Sequence, residues 1–325
     1  MPIIQITNTY KGNVLQLVKN CVPNGFEIRT LPENNSTVLA DYVTDADYIL
    51  ASGRVKINEQ VLSRAKKLKM IQRTGVGLDS LDLDAIRKYN IPVYVNQGVN
   101  SQSVAEHTLL LILACLRKLC LINTNTKNGI WEKQSQGITT RELAGRTVGI
   151  IGMGNIGRNV AKILKIFNAK IVYYDQFRQT EQTEAELGIT YAPLNAVLSM
   201  ADIVTLHCPL TEQTNQLICE DTLRIMREGV VIVNTSRGAL IDESALLSAI
   251  ENGKIGCVGL DVHAEEPIPK GDKLISSDHV IATPHIGGVT YDSFYRMIND
   301  AMRNIALFEQ GKKEEIESLR LKSGV

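Results

Sequence analysis

The sequence predicts an α/β protein whose parallel sheets are divided between two domains. Short apolar runs alternate with helical patterns from end to end, which is typical of chains that build parallel sheets. The length of 325 residues suggests two domains at roughly 150 residues each. With 44% hydrophobic residues, the chain can fill two cores.

The composition excludes several classes of partner. Lys plus Arg and Asp plus Glu both number 35, and a net charge of zero argues against nucleic-acid and membrane-surface binding. The longest apolar run, 108–116, is well short of the ~20 residues of a membrane helix, and residues 1–8 lack a secretory pattern. Six cysteines without a C-x-x-C pair argue against disulfides or a metal site and favour the cytoplasm.

The first hundred residues contain the elements of a small α/β domain. Strands are predicted at Ile3–Thr7, Tyr48–Ala51, Met70–Arg73 and Val93–Asn96. Helices are predicted between them, for example at Glu59–Lys67 and Leu83–Tyr89. A long helix is expected next, because Ser103 and Glu106 have the spacing of a capping box just before the apolar stretch. Periodicity is then lost over Asn123–Gly137.

A second series of strands and helices runs from Thr147 to about Thr283. An amphipathic helix is predicted after it, at Tyr291–Phe308, and this helix is too short to be a domain. We therefore expect it to fold back onto the N-terminal domain. The predicted division is 1–100 plus 289–325 for one domain and 101–288 for the other.

A glycine-rich turn opens the second series. The apolar run Thr147–Ile151 leads directly into Gly152, Gly154 and Gly157, which precede a helical segment. In this strand–turn–helix context the glycines permit a tight turn, close approach of a pyrophosphate and close packing of the helix. The helix N-terminus offers free N–H groups to the anion. The pattern predicts a dinucleotide site, with an ordinary glycine-rich turn as the alternative.

Asp175 indicates which dinucleotide is bound. It ends the next apolar run, Lys170–Tyr174, and follows Gly157 by 18 residues, where an acid can bind the adenosine ribose hydroxyls. Because a carboxylate repels the 2′-phosphate of NADP, Asp175 favours NAD. Arg178 could accommodate that phosphate, but it also fits an ordinary surface position.

Polar residues follow each later strand of this series, where the carboxyl ends of parallel strands meet at one edge. They are His207 and Cys208, Asn234 to Gly238, Asp261 with Glu265 and Glu266, and His285. These types suit hydride transfer at a carbon that bears oxygen: a histidine moves the proton, a carboxylate favours its charged form, and an arginine binds a substrate carboxylate. On composition alone, Glu265 and Glu266 are equal candidates for the carboxylate.

From about Ala46 to Thr290 the chain resembles the D-isomer-specific 2-hydroxyacid dehydrogenase family, which includes 3-phosphoglycerate, glycerate, D-lactate and formate dehydrogenases. The motifs that carry the resemblance are 75–79 (GVGLD), 105–108 (AEHT), 143–149 (LAGRTVG), 207–211 (HCPLT), 234–238 (NTSRG), 260–262 (LDV), 266–267 (EP) and 284–288 (PHIGG).

The resemblance implies roles for several residues. Arg237 is similar to the family's substrate-binding arginine, and His285 to its acid–base residue. The family's glutamate stands immediately before proline, which selects Glu266 over Glu265. The backbone of Val76 and Gly77 is similar to the family's carboxylate-binding turn. The positions that usually touch NAD correspond to Asn155, Ile156, Asp175, Cys208, Thr235 and Asp261, beside the glycines.

The resemblance also implies an architecture of two Rossmann-like, doubly wound parallel-sheet domains with the active site in a cleft between them. Residues 1–100 plus 289–325 would then bind the substrate and 101–288 would bind NAD. A homodimer through the cofactor domain is implied as well. Two departures stand out. His263 stands where the family usually has an aromatic residue. The segment 51–54 (ASGR) lacks the Arg-Ser order of many phosphoglycerate dehydrogenases, although Arg54 and Arg73 could still meet a phosphate.

Together these features predict an NAD-dependent oxidoreductase that transfers a hydride between NAD(H) and a small D-2-hydroxy acid or its 2-keto acid. The alternative is an NAD-sensing binding module of the corepressor type, since such proteins retain the same Arg, Glu and His.

Overall fold

The computed structural model describes residues 1–321, which form two compact units. The first consists of residues 1–100 and 291–321, and the second of Ser101–Thr290. Residues 322–325, which the sequence analysis assigns to the first domain, lie outside the described residues. Every strand pairing within the two sheets is parallel, and the predicted fold class of two parallel-sheet α/β domains is confirmed.

The first unit has a five-stranded sheet in the order β2-β1-β3-β4-β5. Its strands are β1 (Ile3–Ile6), β2 (Glu27–Arg29), β3 (Tyr48–Ala51), β4 (Met70–Arg73) and β5 (Val93–Tyr94). Its helices are α1 (Gly12–Asn20), α2 (Ser36–Tyr42), α3 (Glu59–Arg64), α4 (Leu83–Lys88) and, after the second unit, α13 (Tyr291–Glu309). Short 3₁₀ turns follow at Lys313–Glu315 and Glu317–Leu319.

The last helix, α13, completes the core on one face of this sheet. Its residues Ile298, Met302 and Ile305 are fully buried and belong to the same apolar cluster as Ile4 and Tyr48. Helices α2, α3 and α4 cover the other face. The sheet therefore depends on chain segments that are almost 300 residues apart in sequence.

The second unit has a seven-stranded sheet in the order β12-β11-β10-β9-β6-β7-β8. Its strands are β6 (Thr147–Ile151), β7 (Lys170–Tyr174), β8 (Ile189–Tyr191), β9 (Ile203–Leu206), β10 (Val230–Asn234), β11 (Ile255–Leu260) and β12 (Val280–Ala282). Its helices are α5 (Ser101–Leu116), α6 (Leu119–Lys127), α7 (Gln136–Thr139), α8 (Asn155–Ile166), α9 (Glu181–Leu187), α10 (Leu194–Met200), α11 (Glu220–Ile225) and α12 (Glu243–Glu251), with a 3₁₀ turn at Gly238–Leu240.

The start of α5 differs from the prediction. The helix begins at Ser101, so Ser103 lies inside its first turn and the predicted capping box is wrong. The Ser103 side chain is buried and its hydroxyl lies 3.2 Å from that of Thr290, while Glu106 accepts a hydrogen bond from Gln102. The hydroxyl of Ser103 therefore makes a tertiary contact with Thr290 and does not cap the helix.

The segment that loses its periodicity is partly helical. Helix α6 extends to Lys127 and α7 occupies Gln136–Thr139, yet neither contains a buried residue. Without a buried face there is no apolar period to read. Trp131, between the two helices, is 81% exposed.

The strand order of the second sheet reverses between β6 and β9. From β6 the chain moves outward through β7 and β8, and from β9 it moves outward in the opposite direction. Ligands of open α/β sheets bind beyond the carboxyl ends of strands at such a switch point. None of the described helices is long and apolar enough to cross a membrane.

Candidate functional site

The glycine turn lies at the switch point of the second sheet. Gly152 follows β6 with a φ of +98°, and a Cβ there would lie 2.5 Å from the backbone nitrogen of Cys208 at the end of β9. A Cβ on Gly157 would overlap the carbonyl oxygen of Gly152. Only glycine therefore fits either position, and the turn brings α8 directly against the strand ends.

The N-terminus of α8 is open to a ligand. Gly154 is the residue before the helix, and a Cβ built on it would meet no atom within 4 Å. Asn155 and Ile156 form the first turn of α8, whose leading N–H groups have no partners within the helix. The positive end of the helix thus faces a place where the chain leaves room for an anion.

Asp175 follows β7 and braces the glycine turn. Its Oδ2 accepts a hydrogen bond from Met153 N at 2.6 Å, and its Oδ1 accepts one from Phe177 N at 2.9 Å. Arg178 makes two hydrogen bonds to Glu184, at 2.9 and 2.8 Å. This pairing and the Tyr173 hydroxyl lower the pKa of Glu184 to about 2. Arg178 is therefore committed to Glu184, and the carboxylate of Asp175 is the charge nearest the turn.

Two further predicted cofactor positions are buried at the same edge. Burial raises the pKa of the Cys208 thiol to about 11, so the group is a neutral thiol at pH 7. The carbonyl of Cys208 accepts a hydrogen bond from the Ser236 hydroxyl at 2.6 Å. The Thr235 hydroxyl lies 3.0 Å from that of Thr108 in α5. Both residues are buried, at 9% and 8% exposure.

His285 and Glu266 form a hydrogen-bonded pair. His285 follows β12, and its Nδ1 lies 2.8 Å from Glu266 Oε2, while Glu266 Oε1 accepts a hydrogen bond from the His263 amide at 3.0 Å. The two side chains are 50% and 37% exposed, so the pair is open to solvent. With Nδ1 bound to the carboxylate, Nε2 is the ring nitrogen that remains for a ligand.

Glu265, which precedes Glu266, and three other histidines lie in surroundings that differ from those of the His285–Glu266 pair. Glu265 lines a cavity of about 180 Å³. His207 bonds to the Thr205 hydroxyl, and its Nδ1 is shielded from solvent; burial lowers its pKa to about 3, which keeps the ring neutral. His279 contacts the Gly256 carbonyl at the opposite edge of the sheet. His263 is buried, and its Nε2 lies 3.1 Å from the carbonyl oxygen of Thr283.

Arg237 lies in the loop after β10, and the buried Asn234 shapes that loop. The Asn234 side chain donates to the carbonyl of Arg237 at 2.8 Å and accepts from the amide of Ser236 at 3.0 Å. A Cβ on Gly238 would overlap the backbone of His263. The loop of Arg237 is thus packed against the loop that leads to Glu266, at the same edge as His285.

Asp261 directly follows β11 and is buried among hydrogen-bond donors. Its carboxylate accepts from the amides of Ile286 and Gly287 at 2.8 and 2.7 Å and from the Thr283 hydroxyl at 2.5 Å. Burial acts to raise the pKa of Asp261, but these bonds and His107, 3.4 Å away, outweigh it and lower the pKa. The carboxylate is ionised and binds the chain around His285.

In the first unit, the turn that contains Val76 and Gly77 follows β4. Val76 is 54% exposed, and the Gly77 carbonyl accepts two hydrogen bonds from the Arg73 guanidinium, at 2.9 and 2.5 Å. Arg73 also donates to the carbonyl of Ser52 and the hydroxyl of Ser80.

Because Arg73 is only 4% exposed, the prediction that it could meet a phosphate is wrong: its charge serves the carbonyls of the turn. Arg54 is exposed, as a phosphate-binding residue would need to be. The sequence suggested that Arg73 could bind a phosphate, whereas in the structure its guanidinium hydrogen-bonds to the turn at Gly77.

Two residues that bear on the site were missed as site residues. Thr283 was noted only as the end of a strand, and His107 only as part of the motif 105–108. His107 lies on α5, but its partner Thr283 directly follows β12, 176 residues further along the chain. Local pattern alone could not pair them.

Comparisons with known proteins agree with this geometry. The family described as "D-isomer specific 2-hydroxyacid dehydrogenase, NAD binding domain" matches residues 109–287. The chain is 37% identical over 262 residues to a hydroxypyruvate reductase of Thermotoga maritima, which covers 80% of this chain and 83% of that protein. It is 35% identical over 277 residues to a glyoxylate reductase of Korarchaeum cryptofilum, and this match covers 85% of this chain and 83% of that protein.

A solved structure of a dehydrogenase is similar to this chain over nearly its full length. The D-lactate dehydrogenase of Aquifex aeolicus, in complex with NAD and lactic acid, superposes with a TM-score of 0.85 at 29% sequence identity. The match covers 98% of both chains.

Proposed function

Since the chain belongs to the D-isomer-specific 2-hydroxyacid dehydrogenase family, we propose that His285 and Glu266 form the acid–base pair of its reaction. The chain is an NAD-dependent oxidoreductase of 2-hydroxy acids and 2-keto acids. The observation that carries the proposal is the 2.8 Å contact between His285 Nδ1 and Glu266 Oε2, in a pair that is open to ligands.

In the proposed reduction, His285 donates its Nε2 proton to the carbonyl oxygen of the keto acid. Glu266 orients the ring and stabilises its charged form before the transfer. Arg237 binds the substrate carboxylate and polarises the carbonyl oxygen. The nicotinamide supplies the hydride in this direction and accepts it in the reverse. Val76 and Gly77 bind the substrate carboxylate through backbone N–H groups.

NAD is held by the second unit in this proposal. The pyrophosphate binds at Gly152, Gly154 and Gly157 with the first turn of α8, where the chain leaves space for it. Asp175 receives the adenosine ribose. The remaining contacts come from Asn155 and Ile156 and from the buried edge residues Cys208, Thr235 and Asp261.

A substrate without a phosphate group is favoured. The relatives include a hydroxypyruvate reductase and a glyoxylate reductase as well as D-3-phosphoglycerate dehydrogenases of 35% and 39% identity, so the preference rests on the arginines of the first unit. Of the two arginines that the sequence offers to a phosphate, Arg73 at the end of β4 has its guanidinium buried among carbonyl oxygens, and only Arg54 is exposed. We therefore expect hydroxypyruvate or glyoxylate to be reduced more efficiently than 3-phosphohydroxypyruvate.

The test is NADH oxidation with a panel of keto acids: glyoxylate, hydroxypyruvate, pyruvate, phenylpyruvate and 3-phosphohydroxypyruvate. Turnover that is fastest with the first two is the expected result. NADH binding without turnover of any keto acid would restore the binding-module alternative. That alternative is not carried further, because the proteins compared above are named as reductases and a dehydrogenase.

The proposal includes a homodimer in the cytoplasm. Helix α6, its flanks and α7 present apolar side chains to solvent: Ile130 is 45% exposed, Trp131 81% and Ile138 77%. A second copy would cover this surface. Size-exclusion chromatography with light scattering should give twice the chain mass. The double substitution Trp131→Ser with Ile138→Ser should give the monomer. Phe177 is similarly exposed, at 75%, and Phe177→Ser should leave the dimer intact.

The proposed cytoplasmic location rests on the cysteine pattern.

A further inference from the structure

We propose that His107 is a positioning residue for His285 and acts through Thr283 and Asp261. The inference rests on the proposed function, in which His285 transfers the proton. His107 comes from α5, whereas the other three residues follow β11 and β12. Its side chain is 12% exposed, so it is largely shielded from solvent.

The direction of each hydrogen bond follows from the chemistry of the groups. The Thr283 hydroxyl carries one proton, and its oxygen lies 2.5 Å from the ionised carboxylate of Asp261, which has none to give. Thr283 therefore donates to Asp261. His107 Nε2 lies 3.0 Å from the same hydroxyl oxygen, and it must be the donor. This fixes a proton of the His107 ring on Nε2.

Asp261 in turn holds the backbone at His285. The backbone carbonyl of Asp261 accepts from the His285 amide at 2.7 Å, and its carboxylate accepts from the next two amides, those of Ile286 and Gly287. One residue thus binds three successive N–H groups. His285 has a φ of +55°, a left-handed conformation that is strained for a residue with a Cβ. The three bonds offset this strain and keep the ring within reach of Glu266.

The ring of His107 also supports the loop by contact. A Cβ built on Gly287 would lie 3.3 Å from His107 Cδ2 and 2.8 Å from the Asp261 carboxylate. Loss of the ring removes the donor to Thr283 and opens space beside the loop at the same time. Since misplacement of a catalytic group by about 1 Å can cost 10²-fold, we expect kcat to fall on the order of 10- to 100-fold.

Glutamine and leucine at position 107 separate the donor from the bulk. His107→Gln can place an N–H where Nε2 lies, and His107→Leu cannot. We expect His107→Leu to lower kcat for keto-acid reduction while the Kd of NADH stays within about twofold. His107→Gln should recover most of kcat. His107→Asn, whose amide reaches only the place of Nδ1, and Thr283→Val, which lacks the hydroxyl, should behave like His107→Leu.

The kinetic isotope effect distinguishes positioning from general loss of structure. With NADH deuterated at the transferred position, the effect on kcat should rise in His107→Leu, because the chemical step becomes slower. A smaller fraction of folded enzyme would lower kcat and leave the isotope effect unchanged.

Two results would overturn the proposal: a parent-like kcat and isotope effect in both His107→Leu and Thr283→Val, or a His107→Gln variant as impaired as His107→Leu. His285→Asn, measured beside them, isolates the premise. If it retains parent activity, the proposed function fails as well; if it is inactive while the His107 variants are normal, only the positioning role fails.

Discussion

Both sheets reverse their strand order, but different residues occupy the two points of reversal. In the second unit, glycines lie between β6 and β9, and a Cβ on Gly154 would meet nothing. In the first unit, Thr7 and Ser52 lie between β1 and β3. The Ser52 amide donates to the Thr7 hydroxyl at 2.9 Å, the two hydroxyls are 3.2 Å apart, and the Ser52 hydroxyl also bonds to Asn8.

This difference teaches that a switch point becomes a binding site only if its side chains leave it open. In the first unit, the buried hydroxyls of Thr7 and Ser52 fill the switch point. The turn at Gly77 is stabilised by hydrogen bonds from Arg73. The second unit leaves the switch point open and carries its charged and titratable side chains on the neighbouring strand ends. We therefore expect substitutions in the second unit to affect turnover and those at Thr7 and Ser52 to affect stability.

His285→Asn should have the largest effect on turnover. The amide of asparagine can replace Nδ1 beside Glu266, but no group replaces the Nε2 acid. We expect kcat to fall on the order of 10²–10⁴-fold, the usual contribution of a positioned acid or base. The Kd of NADH should change little, since the glycine turn is untouched. Stopped-flow and fluorescence titration measure the two quantities. A loss of less than tenfold in kcat would remove His285 from its proposed role.

Arg237→Ala should come next, with a loss on the order of 10²-fold in kcat/KM for the keto acid. The effect should divide between a higher KM and a lower kcat, because the arginine both binds the substrate and polarises it. Arg237→Lys should recover only part, since an ammonium lacks the two-pronged geometry. Steady-state kinetics at saturating NADH provide the test, and an unchanged KM in Arg237→Ala would contradict substrate binding.

Asp175→Ser should change cofactor preference by roughly tenfold, because a carboxylate no longer faces the 2′-phosphate. The measurement is the ratio of kcat/KM with NADH to that with NADPH. Asp175→Asn is the matched control: it removes the charge but keeps an acceptor for the amide of Met153. If the parent used NADPH as well as NADH, our interpretation of Asp175 would be wrong.

Glu266→Gln should leave a slower enzyme, with kcat for keto-acid reduction lower by roughly tenfold, because a neutral amide orients and supports the ring of His285 less well than a carboxylate does. Steady-state kinetics at saturating NADH give the measurement. Glu265→Gln, one residue away and lining the cavity of about 180 Å³, should keep the parent kcat. The opposite pattern would make Glu265 the partner.

Ser52→Ala should have the smallest effect on turnover and tests the closed switch point of the first unit. It removes the hydroxyl that bonds to Asn8 and contacts the Thr7 hydroxyl, while the amide of residue 52 still donates to Thr7, and the loss should cost about 1–3 kcal/mol in the free energy of unfolding. The Kd of NADH should equal that of the parent. Urea denaturation and fluorescence titration give both values, and weakened NADH binding would mean that the two switch points are not as separate as proposed.

The glycine turn and the acid that follows the next strand could be predicted from sequence because both depend on local patterns. The glycine turn and Asp175 belong to one continuous strand–turn–helix–strand unit, so spacing along the chain carries the geometry. The strand β2 was missed because its three residues are only half-buried at the edge of the sheet and give no apolar run. Helices α1 and α2 were not predicted either; most residues of α1 are exposed.

The choice between neighbours and the direction of a side chain are harder to predict. Glu265 and Glu266 have the same chemistry, and only the path of the loop brings the second to His285. Arg73 has the charge that a phosphate needs, yet it points into the protein, since the carbonyls after β3 and β4 lie within its reach. Charge can be read from a sequence, whereas the satisfaction of buried carbonyls depends on tertiary structure.

The discontinuity of the first unit has a consequence for biosynthesis. A ribosome completes all of Ser101–Thr290 before it begins α13, whose Ile298, Met302 and Ile305 fill the core beneath β1 and β3. The second unit is continuous and can fold as soon as it emerges. Residues 1–100 are made first but must wait for the last helix to cover an apolar sheet face. During translation the earliest segment is thus the last to be finished, and that uncovered face is where a nascent chain needs protection from aggregation.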